Sequence, residues 1–338
     1  MTSLMEELST SNPKKIVLLV LDGLGGLPRE KGGKTELETA RTPNLDALAA
    51  AAECGMHLPA GFGITAGSAV SHLALFGYDP LQYPVGRGVI SALGIALPMK
   101  PNDVAARLDF ATLDKDGVIS DRRAGRISTE TCAELCELLS AISIKGVEVV
   151  VRPVRDHRAV VVFRGKGLSE LVTDTDPQDV DVMPLEPKAT GPEGARMAEV
   201  TKEFVVQAHK ILSPRLSSNG VLLRGFAKLP RIPSLRELYK LSAAAFAVYP
   251  DYKGVARLVG MDVVEDLSDL DEQAQALKDA WSSYDFFFIH HKTPDSKGED
   301  GDFDGKVQEI EKVDAFVPSV LSLKPDLVIV TGDHSTPA

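Results

Sequence analysis

Three short apolar runs without polar interruptions dominate the hydrophobic pattern of this sequence. They are residues 16–21, 286–289 and 327–330. Runs of this length are typical of strands that are buried on both faces of a parallel sheet. Because helical segments alternate with them, the pattern predicts an open α/β sheet.

Two helices that follow the first run are predicted from their end signals. The first spans about residues 43–52, with Thr42 as N-cap, a proline in its first turn and Gly55 as the C′ residue. The second begins at Ser68, directly after the glycine-containing loop of residues 61–67. The N-terminal part of the chain therefore has the order strand, helix, helix.

The pattern changes after about residue 98. Short β-rich runs then alternate with basic residues, at residues 104–108, 147–151 and 159–163. A helix is predicted over residues 129–142, with Ser128 as its N-cap, and another is predicted near residues 194–212. We therefore expect a core domain that is split in sequence by an inserted domain. The predicted core domain comprises residues 1–98 and 236–338, and the predicted inserted domain comprises residues 99–235.

Composition narrows the possible classes of function. The 338 residues are 44% apolar, which is enough for a sizeable core, and the net charge of −11 argues against a general nucleic-acid-binding protein. The apolar runs are too short to span a bilayer, and residues 1–12 lack a secretory signal. We therefore expect a cytoplasmic protein without a membrane partner.

The cysteine content fits reduced thiols in that compartment. The three cysteines are Cys54, Cys132 and Cys136. The last two, four residues apart in a predicted helix, could share a helix face and bind a metal ion. Burial as small apolar residues is the favoured interpretation of both.

Acidic residues and one histidine follow the three apolar runs. They are Asp22, Asp295, Glu299, Asp333 and His334. Ligands bind at the carboxyl ends of strands in open α/β sheets, and carboxylates together with an imidazole suit Mn²⁺, Mg²⁺ or Zn²⁺. We therefore predict a divalent-metal site at this edge of the sheet.

Other roles remain open for several of these positions. Asp22 precedes a glycine and could be a turn residue. The polar stretch of residues 292–302 favours a solvated acidic loop when it is considered in isolation. His290 and His291 are better explained as a strand end near the site than as metal ligands.

Ser68 is the main nucleophile candidate. Its place at a predicted helix start would bring a phosphate close to backbone N–H groups and to the positive end of the helix dipole. A serine hydroxyl needs activation, and the sequence has no Gly-x-Ser-x-Gly motif that would indicate a hydrolase triad. Metal activation therefore suits Ser68 best, and a role as a helix N-cap alone is the competing interpretation.

Arginine is concentrated in the predicted inserted domain. Residues 121–126 read DRRAGR, and Arg107, Arg152, Arg155 and Arg158 lie nearby in sequence. Guanidinium groups bind phosphate and carboxylate through two parallel hydrogen bonds. Within an acidic protein, this cluster predicts a small anionic substrate, with ordinary surface arginines as the alternative.

Taken in order along the chain, these segments resemble the archaeal-type, cofactor-independent phosphoglycerate mutases of the alkaline phosphatase superfamily. The resembling segments are residues 20–25, 66–80, 86–88, 121–127, 174–177, 223–225, 253–256 and 332–334. The segments around Ser68 and Asp121 are specific to this family, whereas the Asp333–His334 pair is shared by the wider superfamily. The resemblance implies an alkaline-phosphatase-like core sheet with helices on both faces and a smaller inserted α/β domain.

The resemblance also implies an activity and a set of site residues. The implied activity is the interconversion of 3-phosphoglycerate and 2-phosphoglycerate in glycolysis and gluconeogenesis, through a phosphoserine at Ser68 and without 2,3-bisphosphoglycerate. Two divalent ions would take part, Mn²⁺ or Mg²⁺, with Zn²⁺ or Co²⁺ as alternatives. One ion would be held by Asp22, Ser68, Asp333 and His334, and Asp295 would help to hold the other. The substrate, a small phosphorylated carboxylic acid, would be bound by Asp121, Arg122, Arg126 and Arg224, with Lys253 as a further candidate.

The sequence departs from the family pattern at several positions. Glu299 stands where many relatives have histidine, and Ala69 follows Ser68 where an acidic residue is common. Relatives continue past the segment of His334 and supply a further ligand histidine, whereas this sequence ends at Ala338, so we expect it to hold the second ion poorly. A phosphomonoesterase, a mutase of another phosphorylated acid and a non-catalytic metal- or phosphate-binding protein remain the alternatives. The oligomeric state is left open.

Overall fold

The computed structural model describes residues 4–338, and the chain divides into two compact units. The first unit runs to Pro84 and resumes at Ile232–Ala338, and the second unit is Val85–Arg231. The first unit contains a five-stranded parallel sheet, and the second contains a separate antiparallel sheet. This confirms the predicted α/β fold class.

The first unit alternates strands and helices. Its strands are β1 (Ile16–Leu21), β7 (Ala243–Ala247), β8 (Asp262–Val263), β9 (Phe286–His291) and β10 (Leu327–Gly332). Its helices are α1 (Leu4–Leu8), α2 (Glu36–Thr39), α3 (Pro43–Ala51), α4 (Ser68–Leu75), α8 (Leu235–Tyr239), α9 (Pro250–Leu258), α10 (Leu270–Ala280), α11 (Thr293–Glu299) and α12 (Phe303–Ser322). The parallel sheet has the strand order β10–β1–β9–β7–β8, so all three predicted strands are confirmed and lie next to one another.

Helices cover both faces of this sheet. On one face, Phe287 of β9 stacks on Trp281 beyond the end of α10, and residues of α12 such as Ile310 complete the core. On the other face, Phe288 of the same strand contacts Phe76 at the C-terminal end of α4. Consecutive phenylalanines point to opposite faces because side chains alternate along a strand, which explains the uninterrupted apolar run.

Two local predictions in the first unit differ from the structure. Thr42 occupies the N-cap position of α3, but its hydroxyl donates to Asp46 instead of accepting from the helix backbone, and the helix ends at the C-cap Ala52, before Gly55. The acidic loop expected over residues 292–302 is wrong, because α11 forms there. A proline in the first turn of α11 is compatible with a helix start, and the short helix gives little periodic signal in the sequence.

The second unit has an antiparallel sheet covered by helices. Its strands are β2 (Val104–Leu113), β3 (Ile119–Asp121), β4 (Val147–Arg155), β5 (Arg158–Gly165) and β6 (Gly220–Ala227). Its helices are α5 (Arg87–Gly94), α6 (Thr129–Leu139) and α7 (Ala195–Leu212), and a 3₁₀ turn spans Pro192–Gly194. The strand order is β3–β2–β5–β4, and β6 also pairs with β2. The apolar faces of α6 and α7 close the larger core of this unit.

The predicted N-cap and the predicted role of two cysteines hold in α6. The Ser128 side chain accepts a hydrogen bond from the backbone N–H of Thr131, as a helix N-cap does. Cys132 and Cys136 are buried free thiols in the core of the second unit, and the Cys132 thiol donates to the Arg158 carbonyl. Both therefore act as small apolar residues.

Helix α5 lies in the second unit, Val85–Arg231, whereas the predicted inserted domain began at residue 99 and ended at residue 235. Its Gly88 is so close to β2 that a Cβ atom there would lie 2.2 Å from the Ala105 carbonyl oxygen. A residue without a side chain allows this contact, and the helix packs against β2, β5 and β6. Within residues 4–338, no helix is both long enough and apolar enough to cross a bilayer.

Candidate active site

Three polar side chains meet where β1 and β10 end. These strands pair in parallel with Leu21 opposite Gly332, so the next residue of each strand leaves the sheet at the same edge. Asp22, Asp333 and His334 each offer a ligand atom, and these atoms all lie within 4.8 Å of one another. His334 Nε2 is 3.4 Å from Asp22 Oδ1 and 3.3 Å from Asp333 Oδ2. The predicted convergence of these three residues is therefore observed.

The Ser68 hydroxyl faces this cluster. Gly67 is the N-cap of α4, so Ser68 is the first helical residue, and no side chain caps this helix. Ser68 Oγ lies 3.5 Å from His334 Nε2. Ser68 is therefore not the helix N-cap, and its hydroxyl lies at the N-terminus of α4, where backbone N–H groups favour a bound anion.

Three buried carboxylate oxygens in the cluster have charged or polar neighbours but make no hydrogen bond of normal geometry within residues 4–338. Both oxygens of Asp22 and Oδ2 of Asp333 are buried, and none makes a hydrogen bond of normal geometry among the described residues. Two carboxylates that are buried so close together repel each other and have lost their hydration. Two carboxylates, an imidazole and a serine hydroxyl form a donor set that fits a divalent cation such as Mn²⁺, Mg²⁺ or Zn²⁺.

The pKa values of the two aspartates reflect their surroundings. Burial, reinforced by the charge of Asp22, raises the pKa of Asp333 to about 6. Burial also opposes ionisation of Asp22, but His290 and the ammonium group of Lys292 outweigh it and lower the pKa of Asp22. The cluster therefore carries an ionised carboxylate beside one that resists ionisation, which is a site where a bound cation would be strongly favoured.

Asp295 lies beside the cluster with partners of its own. It is buried on α11, forms an ion pair with Lys292, and accepts a 2.5 Å hydrogen bond at Oδ1 from the Thr336 hydroxyl. Lys292 Nζ also lies 3.2 Å from Asp22 Oδ2, so one ammonium group contacts both carboxylates. Glu299 is exposed at the C-terminal end of α11 and does not join a three-residue ligand group within residues 4–338.

Two buried histidines near the cluster were not among the predicted site residues. His72, one turn after Ser68 on α4, donates from Nδ1 to the Ser68 carbonyl and lies 3.6 Å from Asp333 Oδ2. His290 Nε2 is 3.3 Å from Asp22 Oδ2. Burial lowers the pKa of both histidines to about 4, so both are neutral near pH 7. The sequence signals that could have identified them are the position of His72 four residues after Ser68 and the position of His290 near the end of β9.

In the second unit, the candidate arginines form ion pairs with buried aspartates. The Arg122 guanidinium donates to both oxygens of Asp176, from Nε at 3.0 Å and from Nη2 at 2.6 Å. Arg224 Nε lies 3.1 Å from Asp109 Oδ2 and 3.8 Å from Asp176 Oδ2. Asp176 therefore contacts both Arg122 and Arg224 and holds the two guanidinium groups near each other.

Asp121 and Lys253, two further candidates for substrate binding, make contacts within their own units. The Asp121 carboxylate accepts from the backbone N–H groups of Arg123 and Gly125, so it holds the turn on which Arg126 lies. Lys253, on α9, forms a 2.8 Å ion pair with Glu265. Neither Asp121 nor Lys253 joins the three-residue ligand group.

Comparison with known proteins gives a consistent set of relatives. A family model described as 2,3-bisphosphoglycerate-independent phosphoglycerate mutase matches residues 49–215. The chain is 47% identical over 345 residues to a probable enzyme of that name from Aquifex aeolicus, covering 99% of this chain and 84% of the relative. It is 48% identical over 339 residues to one from Thermus thermophilus, with the same coverage.

Solved structures agree with these relatives. A cofactor-independent phosphoglycerate mutase from Thermoplasma acidophilum superposes with a TM-score of 0.63 at 34% identity, covering 95% of this chain and 87% of that one. A protein from Pyrococcus horikoshii superposes with a TM-score of 0.80 at 29% identity, covering 97% of this chain and 84% of that one.

Proposed function

The chain belongs to the family of 2,3-bisphosphoglycerate-independent phosphoglycerate mutases, and we propose that it interconverts 3-phosphoglycerate and 2-phosphoglycerate with Ser68 as the phosphoryl carrier. The observation that supports this best is the Ser68 hydroxyl at the N-terminus of α4, 3.5 Å from His334 of the strand-end cluster. A phosphoserine at this place would lie against free backbone N–H groups, which stabilise its negative charge.

A divalent ion would be held by Asp22, Ser68, Asp333 and His334. The unsatisfied buried oxygens of the two aspartates support this assignment. When bound, the ion supplies positive charge that favours the serine alkoxide and neutralises the oxygens of the transferring phosphoryl group. Within residues 4–338, Asp295 and Glu299 join no three-residue ligand group, so a second ion held by them stays a prediction of the sequence.

The reaction consists of two phosphoryl transfers on one serine. Ser68 Oγ attacks the phosphorus of 3-phosphoglycerate, the bond from phosphorus to the C3 oxygen breaks, and the serine proton ends on the released 3-hydroxyl. The 2-hydroxyl of the bound glycerate then attacks the phosphoserine, loses its proton, and leaves Ser68 protonated again. The glycerate must stay bound between the two transfers, because attack by water would release free phosphate.

Binding of the glycerate falls to the second unit in this proposal. Arg122, Arg126 and Arg224 would bind its carboxylate and phosphate groups, because guanidinium binds such planar anions through paired hydrogen bonds. Asp121 would act by holding the turn that carries Arg126. Lys253, which forms an ion pair with Glu265, is a weaker candidate because its ammonium group lacks the paired donors of a guanidinium.

A coupled assay with enolase tests the proposed activity. The wild-type chain should convert 3-phosphoglycerate, and Ser68→Ala should abolish turnover while the protein stays folded. Ser71→Ala is the matched control, because Ser71 is a buried serine on the same helix whose hydroxyl has no hydrogen-bond partner among the described residues. A phosphopeptide that carries phosphate on Ser71 instead of Ser68, or release of phosphate without formation of 2-phosphoglycerate, would contradict the proposal.

A further inference from the structure

We propose that Thr336 is a positioning residue of the strand-end cluster, because its hydroxyl fixes the tautomer of His334 that can bind a cation. The inference rests on the proposed function, since it concerns the same cluster. Thr336 Oγ1 lies 3.1 Å from His334 Nδ1 and 2.5 Å from Asp295 Oδ1. One hydroxyl therefore connects the imidazole to a buried carboxylate.

The direction of both hydrogen bonds follows from the chemistry of the three groups. An ionised carboxylate can only accept, so the Thr336 hydroxyl gives its single proton to Asp295. Its oxygen must then accept from His334, which requires the proton of the neutral imidazole to be on Nδ1. Nε2 consequently carries the free lone pair, and Nε2 is the nitrogen that faces Asp22, Asp333 and Ser68.

The other tautomer would oppose cation binding. A proton on Nε2 would point towards Asp22 and Asp333, whose nearest oxygens lie 3.4 and 3.3 Å away, and would satisfy those carboxylates in place of a cation. Without the Thr336 hydroxyl, Asp295 Oδ1 cannot replace it as the acceptor for Nδ1, because it lies 3.9 Å away, which is too long for a hydrogen bond. Thr336 therefore excludes a competing arrangement of the same residues.

Neighbouring groups hold Thr336 in place. Its backbone N–H donates to the Gly25 carbonyl at 3.0 Å, and its carbonyl accepts from the buried ammonium group of Lys306 at 2.8 Å. Gly23 and Gly298 leave room for it, since a Cβ atom on Gly23 would lie 2.7 Å from Thr336 Oγ1 and one on Gly298 would lie 2.1 Å from its carbonyl oxygen. A residue that is itself held in place can fix the orientation of the metal ligand to which it is hydrogen-bonded.

Mn²⁺ binding to the metal-free full chain tests this inference. Thr336→Val keeps the shape and removes the hydroxyl, and Thr336→Ser restores the hydroxyl. Thr331→Val removes a hydroxyl of β10 that donates to the neighbouring Gly332 carbonyl. Titration followed by electron paramagnetic resonance should show Mn²⁺ affinity about 10–100-fold weaker in Thr336→Val. The Ser variant and the Thr331→Val control should bind as the wild type does.

The tautomer provides a second measurement. In long-range ¹H–¹⁵N spectra of the metal-free protein, His334 should carry its proton on Nδ1 in the wild type and in Thr336→Ser, and should shift towards Nε2 in Thr336→Val. Equal Mn²⁺ affinity of the Val variant and the wild type would overturn the inference. So would Mn²⁺ binding by the wild type that persists unchanged in Asp22→Asn, because the ion would then bind outside this cluster. A wild type that binds Mn²⁺ at this cluster but has no mutase activity would instead contradict the proposed function alone.

Discussion

The ammonium group of Lys292 lies 3.2 Å from Asp22 Oδ2 and also forms an ion pair with Asp295. Burial alone would lower the pKa of Lys292, but the two carboxylates raise it above its ordinary value. The metal-free cluster is therefore partly neutralised by a cation that belongs to the chain. A divalent ion entering the cluster has to bind next to this ammonium group.

Lys292→Met should destabilise the metal-free protein and make added Mn²⁺ more stabilising. Removing the partner of two buried carboxylates costs on the order of 3 kcal/mol, and an ion that binds only the folded state restores part of it. Thermal unfolding with and without Mn²⁺ measures both effects. Lys297→Met is the control, because Lys297 pairs with Asp302 near the surface. An equal Mn²⁺-induced shift in Lys292→Met and wild type would contradict this account.

Exhaustive chelation should abolish the mutase activity, and Mn²⁺ or Mg²⁺ should restore it better than Ca²⁺. A ligand set that contains an imidazole suits Mn²⁺ better than the all-oxygen sites that Ca²⁺ prefers. Elemental analysis of Asp22→Asn should show loss of the bound ion. Full activity of the chelated wild type would exclude a metal-dependent mechanism.

Arg122→Lys should raise KM for 3-phosphoglycerate at least tenfold, because lysine keeps the charge but cannot donate two parallel hydrogen bonds. The substitution also removes the bidentate contact with Asp176, so the positive charge at this position is no longer held in one orientation. Steady-state kinetics of Arg122→Lys and of the exposed neighbour variant Arg123→Lys give the comparison. Metal content should be unchanged in both, and normal kinetics of Arg122→Lys would place the substrate elsewhere.

Stability should fall between about pH 6.5 and pH 4 through His157. Burial lowers the pKa of His157 to about 4, so the folded state stays neutral while the unfolded state takes up a proton below its usual pKa near 6.5. The unfolded state therefore binds more protons in this window, and stability is lost as the pH falls, by up to about 3 kcal/mol. His157→Gln should flatten this part of the profile of melting temperature against pH. Parallel profiles of variant and wild type would show that His157 does not contribute.

The sequence identifies the parts of the site that follow directly from a strand. Asp22 and Asp333 were predictable because apolar runs locate β1 and β10, and parallel pairing aligns the residues that follow them. Ser68 was predictable as a helix start, although its role as the first helical residue and not as the N-cap depends on the φ and ψ angles of Gly67. These predictions need only local patterns and one general rule about sheets.

Other members of the site depend on packing that a pattern does not encode. His72 and Lys292 reach the cluster because α4 and the end of β9 are held against it by the core, and both resemble ordinary helix and loop residues in sequence. Thr336 acts through contacts with two glycines and the distant Lys306. Asp295 and Glu299 are four residues apart on α11, yet Asp295 is buried, whereas Glu299 is the last residue of this short helix and is exposed.

The pairing of β1 with β9 and β10 has a consequence for the order of events during synthesis. Residues 16–21 leave the ribosome long before residues 286–291 and 327–332, so β1 has no partner strand on either side until the residues after 285 have been made. The unit Val85–Arg231 is continuous in sequence and can fold first, because domains fold as units in the order of their synthesis. Contacts between such distant residues form slowly. The arrival of β10 gives β1 its second neighbour and, with Asp333 and His334, brings the strand-end cluster together in the same step.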